Sequence, residues 1–389
     1  MDVNNINRDE INNCPCCEKQ ANVLLDLPSY PITEFFTENI NNKSLEGFYD
    51  QTLLFCDSCH HLFLKNILDP KIIYNNYLTT SNSSKGAIDC LIDLQNFISK
   101  NINTNHFDTI VDFGGNDSTF LSFYESFHDN LINVDLNASA KSKKIHLIKK
   151  SIEDFDPLSI GNFSSKLIIS SHTIEHVKSP SLFIEKISKS MKDDDVFFLQ
   201  FPSLELLVSD LTFDQICHQH LNIFSLKSIE ILLNSFGLYI QNHEFDSQHF
   251  GTLRLKISKK INNYVHFSHL DFFKIKNAIK IFKNFYTDLN ESLSKNIKSS
   301  CGFGAGLMVP TLSYFLPIIN DLDYIFDQNL SRTNKRFVNM NPIIIDERQM
   351  DINKNFIITA ISTKIATRQI LNYLLNKKVT NIIIPKIYV

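Results

Sequence analysis

Between Asp108 and Asp135 the chain reads DTIVDFGGNDSTFLSFYESFHDNLINVD, and few folds accommodate that order of residues. Asp108 to Phe113 is short, apolar and β-branched, as a strand buried on both faces must be. Gly114-Gly115-Asn116-Asp117 breaks the run, and the spacing of Ser118 to Phe127 predicts a helix. Leu131 to Val134 is a second apolar strand, ending on Asp135. Strand, glycine turn, helix, strand, acid is the first half of a nucleotide-binding α/β sheet. Glycine lets the backbone approach a ligand without a Cβ in between. A helix N-terminus offers free N–H groups to an anionic moiety. Asp135 is placed to accept both hydroxyls of a ribose.

The ligand is less constrained than the site. A dinucleotide site calls for G-x-G-x-x-G, which Gly114-Gly115-Asn116-Asp117-Ser118 does not supply. An acid in the turn would repel a pyrophosphate but suits a cation such as S-adenosylmethionine, whose ammonium and sulfonium are both charged. Methyl donor, dinucleotide and ordinary strand turn all remain open on the bare pattern, with the methyl donor favoured.

The rest of the chain narrows the setting. At 389 residues and 43% hydrophobic content it can bury a substantial core divided over two or three domains. Its net charge of −4 predicts no general affinity for nucleic acid or anionic membrane. The first 13 residues, MDVNNINRDEINN, lack the apolar segment of a secretory signal. No apolar run approaches the roughly 18 residues that span a bilayer. A cytoplasmic address is therefore expected, and eight cysteines in that setting point to metal or free thiols rather than disulfides.

Those cysteines are patterned. Cys14-Pro15-Cys16-Cys17 and Cys56-Asp57-Ser58-Cys59 are two C-x-x-C pairs. Each pair can form a knuckle presenting two sulfurs, so Cys14, Cys17, Cys56 and Cys59 are a candidate four-thiolate zinc site, with Cys16 spare. Cys56 to His60 also matches the C-x-x-C-H string of haem attachment, and four free thiols are the plain alternative. A closed four-cysteine site is structural and leaves no open position for chemistry. The hydroxyl-rich stretch from Tyr74 to Ser84 reads as a loop with an N-cap before a helix over Ala87 to Ile98.

Strands and helices alternate from Asp108 to about Lys260, as a doubly wound sheet requires. Ile145–Ile148 is followed by the acidic turn Ser151-Ile152-Glu153-Asp154, placed to reach an adenine amino group. The strand Lys166–Ser170 runs into Ser171-His172-Thr173-Ile174-Glu175-His176, at the sheet edge where the ligand crevice belongs. Val196–Phe201 is the next strand. The densest polar cluster is Phe213 to His220. His218 and His220 there could be structural imidazoles, zinc ligands with Cys217, or general bases. A helical connector over 270–299 leads to Gly302-x-Gly304-x-Gly306, which opens a second nucleotide-like fold with strands at Asp323–Asp327, Asn355–Ala360 and Asn381–Pro385. That glycine loop lacks the third dinucleotide glycine.

These parts, in this order, resemble the sugar C-methyltransferases of deoxysugar pathways, from about residue 14 to the C-terminus. Asp112, Gly114, Asn116, Asp117 and Leu121 match the family's D-x-G-x-N-D-G-x-x-L donor loop, with Ser118 in place of a glycine. Glu175-His176-Val177 matches E-H-V. Cys217-His218-Gln219-His220, then Phe224-Ser225, matches Y-H-E-H-x-x-x-F-S. Gly251-Thr252-Leu253-Arg254 matches G-x-L-R, and Gly302-Phe303-Gly304-Ala305 matches G-x-G-A.

The resemblance implies three domains: a zinc-binding domain over 1–75, a Rossmann-like class I S-adenosylmethionine-dependent methyltransferase domain over 76–265, and a C-terminal Rossmann-like α/β substrate domain over 266–389. It implies a donor held by Asp112, Gly114, Gly115, Asn116, Asp117, Asp135, Glu153, Asp154 and His172. The acceptor would be a nucleotide-linked 4-keto sugar, methylated on the carbon next to the ketone. His220 would be the base in a loop with His218 and Gln219, and His176 a substrate contact. Tyr77, Thr79, Cys217, Arg254 and Gly304 would border the acceptor. Beyond Ser118, three polar positions depart from the family: Cys217 replaces tyrosine, Gln219 replaces glutamate, and Thr79 replaces the second tyrosine of a Y-x-Y pair. An amide at 219 can orient the His220 ring but cannot stabilise the imidazolium with charge. Methylation of oxygen or nitrogen, or a member without catalysis, stays open on those departures.

Overall fold

The computed structural model describes residues 9–38, 47–69, 85–161, 163–248, 250–262, 270–295 and 300–387. The N-terminal part is an antiparallel sheet of β1 (Asn22–Pro31), β2 (Phe48–Cys56) and β3 (His61–Leu64). Helix α1 (Lys85–Asn101) leads into the central sheet. That sheet contains β4 (Thr109–Phe113), β5 (Leu131–Asp135), β6 (Ile145–Lys149), β7 (Lys166–Ser171) and β8 (Val196–Pro202). Helix α2 (Thr119–Ser122) follows β4, and α3 (Pro180–Ser190) lies between β7 and β8. A two-residue strand β9 (Asn222–Ile223) and helix α4 (Leu226–Asn234) precede β10 (Tyr239–Asp246) and β11 (Thr252–Ser258).

The seven central strands run in the order β10-β11-β8-β7-β4-β5-β6. β4 to β8 are parallel, whereas β11 pairs antiparallel with β8 and with β10. Both faces of the sheet are covered, for a reason written in the strands. Alternate residues of TIVDF, KLIISS and VFFLQFP feed opposite sides, and most of them are apolar. On one side Val111, Phe113, Ile168, Phe197 and Leu199 meet Phe183, Ile184 and Ile187 of α3 and Ile229, Leu232 and Leu233 of α4. On the other, Ile110, Leu167, Ile169 and Phe198 meet Leu94, Phe97 and Ile98 of α1. The four-residue spacing of Leu94 and Ile98 puts them on one helical stripe. Burying a side chain of that size contributes about 1.5–3 kcal/mol each.

Beneath the sheet's lower end, Lys166 Nζ meets Asp195 2.9 Å away, and Asp195 is fully buried. The Lys166 backbone N–H donates to the same carboxylate at 2.6 Å.

The element that departs most from expectation is the helix after the glycine turn. The spacing predicts Ser118 to Phe127, but only Thr119–Ser122 is α-helical. Beyond it the chain closes in three-residue turns, with Tyr124 N–H donating to Leu121 O and Phe127 N–H to Tyr124 O. Serine, threonine and phenylalanine are poor helix formers, and here Phe120, Phe123, Tyr124 and Phe127 stack on one another instead. A full helix N-terminus over the turn is therefore absent.

The strand β9 leaves the central sheet and joins the N-terminal one. Asn222 and Ile223 pair with Phe63 and Leu62, giving the order β9-β3-β2-β1. The polar octet before β9 is thereby pinned between two sheets. The C-terminal part begins with α5 (Phe272–Ser294). It forms a parallel sheet of β12 (Ser300–Phe303), β13 (Tyr324–Asp327), β14 (Ile343–Asp346), β15 (Asn355–Ile358) and β16 (Ile382–Ile383), in the order β14-β13-β12-β15-β16. One apolar cluster unites this sheet with the N-terminal one, Leu24, Leu27 and Tyr30 packing with Phe303, Leu312 and Phe337. The expected domain boundaries, at 75/76 and 265/266, both lie outside the described residues.

Candidate functional site

Two cavities meet at the carboxyl edge of the central sheet, where β4 has neighbours β5 and β7 on its two sides and the chain order reverses. The first, about 830 Å³, is lined by Gly114, Asn116, Asp135, Glu153, Asp154, His172 and His176 among others. The second, about 450 Å³, is lined by Cys90, Glu175, His176, Cys217 and His220, and across the opening by Gly304, Asp327 and Arg332. Gly114, Asn116, His172 and His176 belong to both.

Local chemistry shapes the first cavity. Gly114 has φ +84, and a Cβ there would come within 2.0 Å of Thr173 Oγ1. Only glycine lets β4 turn that closely beneath the loop after β7. Asn116 and Ser118 also have positive φ. Asn133, which no pattern singled out, holds the turn from β5 by donating to Asn116 O at 3.0 Å and Ser118 Oγ at 2.7 Å. Asp135 accepts the backbone N–H of Asn116 at 3.2 Å and of Asn137 at 2.7 Å, so it fixes the loop as well as facing the cavity. Asp9, Asp69, Asp135, Glu153 and Asp154 make the wall acidic. Such a wall fits a ligand carrying positive charge and disfavours a pyrophosphate.

Three expected donor residues stand behind this wall rather than in it. Asp112 is 2% exposed inside β4 and packs against Gly115, whose Cβ would lie 2.9 Å from the Asp112 carboxylate. Burial, aided by the Asp135 charge, pushes the Asp112 carboxyl up to about 8. Asp117 accepts from the Thr119 N–H and hydroxyl and so caps the short helix.

The second cavity collects the histidines. His176 Nδ1–H donates to the Gln219 carbonyl at 2.9 Å. Its ring lies edge-on to that of His220, with centroids 4.9 Å apart. The carboxylate of Glu175 and a ring nitrogen of each histidine come within 4.8 Å of one another, a set that could also hold a divalent cation. Burial, with His176 alongside, pushes the His220 imidazole down to about 3, despite the opposing pull of Glu175. It is therefore neutral across the physiological range. Cys217 faces the same space, its thiol pushed up to about 12 by burial.

The remaining candidates have other partners. His218 is fully buried, donating from Nε2 to Tyr30 O at 3.1 Å and accepting at Nδ1 from Gln51, 3.3 Å away. Gln219 exchanges hydrogen bonds with Thr33, whose hydroxyl donates to Oε1 at 3.1 Å. Arg254 is 1% exposed in β11, lines neither cavity, and spends its guanidinium on Glu244, Asp246 and Gln200. Gly304 borders the second cavity at φ +96, and the Ala305 N–H after it donates to Asp327 at 2.6 Å. Tyr77 and Thr79 lie outside the described residues.

Sequence reasoning passed over Cys90, Glu34, Glu175, Asp327 and Arg332, all of which line the second cavity. Of these, Glu175 carried a signal as the first residue of a matched tripeptide, and Asp327 as the acid that ends a strand.

Away from the crevice, Cys14 Sγ lies 3.4 Å from Cys59 Sγ, and Cys17 Sγ lies 3.5 Å from those of Cys56 and Cys59. All four sulfurs are within 4.8 Å of one another. Four thiolates about 2.3 Å from one zinc stand about 3.8 Å apart, so the donor set and spacing fit a closed tetrahedral site.

Residues 85–243 match a family model described as a methyltransferase domain. The C-methyltransferase NovU of Streptomyces niveus is 21% identical over 214 residues, 54% of this chain and 51% of the relative. The chain thus spans about half the length of that curated relative. Among solved structures, the N-methyltransferase NodS of Bradyrhizobium japonicum, in complex with S-adenosyl-L-homocysteine, aligns at 9% identity and TM-score 0.35, over 46% of this chain and 91% of that one. The magnesium protoporphyrin IX methyltransferase ChlM of Synechocystis aligns at 10% identity and TM-score 0.35, over 45% and 85%. With the strand order of the central sheet, the family match makes residues 85–243 a methyltransferase domain of the class I S-adenosylmethionine-dependent fold.

Proposed function

We propose that this chain methylates carbon next to the ketone of a nucleotide-linked sugar, with S-adenosylmethionine as donor and His220 as base. The observation that carries the reading is the junction of the two cavities, where a neutral, half-buried His220 faces the space adjoining the acidic donor cavity. A C-methyltransferase among the relatives supports the reaction type.

S-adenosylmethionine would supply a methyl made electrophilic by the sulfonium. Gly114 and Asn116 would border it, Asp135 would take the ribose hydroxyls, and Glu153 and Asp154 would reach the adenine. His220 would accept the proton α to the ketone, which the carbonyl acidifies. The imidazolium so formed would be stabilised by Glu175, in place of the glutamate that Gln219 replaces. His176, oriented through its Nδ1–H, would contact the acceptor oxygen. Holding the two reactants in contact supplies much of the remaining acceleration. Cys14, Cys17, Cys56 and Cys59 would bind a structural zinc that braces the sheet to which β9 belongs.

One observation favours a second reading, methylation of oxygen or nitrogen. The depressed basicity of His220 suits an acceptor with its own lone pair. A panel of nucleotide-linked 4-keto sugars, run in deuterium oxide with wild type and His220→Ala, separates the two. The carbon reading expects solvent deuterium at the acceptor carbon and a loss of turnover of about 100-fold or more in the variant, with donor binding unchanged. Full turnover in His220→Ala, or methylation without any carbon exchange, would overturn it.

A further inference from the structure

The wall of the second cavity holds a constellation of which the proposed methyl transfer uses Glu175 alone. Cys90 Sγ lies 3.6 Å from His172 Nε2. His172 Nδ1 in turn lies 3.3 Å from Glu175 Oε1. The thiol comes from α1, the imidazole from the residue after β7, and the carboxylate from the turn that follows. All three side chains line the same cavity.

Two further observations single this set out. His172 is held at φ +49, in the left-handed region that a side chain ordinarily avoids. Strain of that kind persists where surrounding structure enforces it, and it gathers at functional sites. Glu175 is 1% exposed, and neither carboxylate oxygen has a well-aligned hydrogen bond. An acid buried in that state draws the Nδ1–H of the imidazole beside it and turns Nε2 toward sulfur.

A nucleophile, a base within reach, and an acid that orients the base are what nucleophilic catalysis requires. We propose that Cys90, His172 and Glu175 form a nucleophilic thiol site that takes a carbon electrophile of the α,β-unsaturated carbonyl class from the second cavity. In the step, Cys90 Sγ bonds to the β-carbon while the π pair of the alkene moves to the α-carbon. The proton of the thiol passes through His172 to that α-carbon. The product is a thioether, with no leaving group and no external oxidant or reductant. This class suits the cavity because an enolate that expels a β-substituent becomes such an alkene. The thiol site itself does not depend on the methyl-transfer reading.

Burial opposes a charge on His172, but the contacts with Cys90 and Glu175 outweigh it and push the imidazole up to about 10. His176 and His220, beside Glu175, and Glu34 and Cys217 are the other titratable groups lining this cavity. Cys217 provides an internal control, since it shares the cavity but has no imidazole at hydrogen-bond distance among the described contacts.

The test uses the full chain with S-adenosylhomocysteine present and 2-cyclohexen-1-one as probe. Adduct formation at each cysteine is followed by peptide mass mapping between pH 5.5 and 9. Cys90 is expected to react at least about tenfold faster than Cys217. His172→Asn and Glu175→Gln are each expected to slow Cys90 about tenfold at pH 6.5 and to leave Cys217 unchanged. Equal rates at the two cysteines, no adduct at Cys90, or an unaltered rate in His172→Asn would overturn the proposal. Should a variant fail to bind S-adenosylhomocysteine, the wild-type comparison decides: a Cys90 rate no greater than that of Cys217 overturns it.

Discussion

The imidazole of His220 lies edge-on to that of His176, with ring centroids 4.9 Å apart. The pairing explains why these two histidines divide their duties. His176 gives its Nδ1–H to the Gln219 carbonyl and is thereby oriented, whereas His220 is kept neutral by burial and by its neighbour.

His220→Ala and His218→Ala should therefore differ in kind. The first removes the proposed base and is expected to lower methyl transfer about 100-fold or more, with thermal stability little changed. The second leaves the Tyr30 carbonyl and the Gln51 amide without their buried partner. It is expected to cost about 1–3 kcal/mol of stability, read as a lower midpoint in thermal denaturation. Equal loss of stability in both would contradict the division.

At the glycine turn, Gly114→Ala sets a Cβ 2.0 Å from Thr173 Oγ1 at a backbone angle of +84°. Donor affinity should fall about tenfold or more, since a 1.4 kcal/mol cost already gives that factor. Adding Thr173→Ala should restore part of the loss, because it removes the Oγ1 and Cγ2 contacts but leaves the residue's Cβ at 2.9 Å and the backbone strain. Calorimetric titration of both variants with S-adenosylhomocysteine checks this.

The carboxyl of Asp112 is raised from 3.8 to about 8 by burial and by Asp135. Between those values the folded chain binds a proton that the unfolded chain has lost, so this group's contribution to stability declines as pH rises from about 4 toward 8. Asp112→Asn keeps the neutral form at every pH. Its stability relative to wild type is expected to improve steadily from pH 5 to pH 8.5 in denaturant titrations. A difference independent of pH would show that Asp112 is ionised in the fold.

Four sulfurs at this spacing predict one zinc per chain by elemental analysis, lost in Cys56→Ser. Metal removal should lower the thermal midpoint and, through β9, loosen the loop that carries His220. Unchanged midpoints after exhaustive chelation would count against a structural metal.

Legibility followed local pattern. Thr109–Phe113, Leu131–Asp135 and Lys166–Ser171 were plain in the sequence because a strand buried on both faces needs an unbroken apolar run. The four cysteines were plain because each C-x-x-C pair is itself a local pattern. The helix after Ser118 was misjudged because side-chain stacking among Phe120, Phe123, Tyr124 and Phe127 outweighed a helical period. Polar residues were harder. Nothing local distinguishes His218, committed to Tyr30 and Gln51, from His220 two positions on. Cys90 and His172 meet across 82 residues, a relation set by the packing of α1 against the sheet and invisible in either segment.

The central claim is that the acidic cavity at the edge of β4 and β5 binds the methyl donor. Calorimetric titration of the full chain with S-adenosylhomocysteine, with NAD in parallel and Asp135→Ala as control, tests it most directly. The account predicts saturable one-to-one binding of S-adenosylhomocysteine, weakened about tenfold or more in the variant, and no heat from NAD. Binding of NAD, or silence from S-adenosylhomocysteine with the wild-type chain folded, would contradict it.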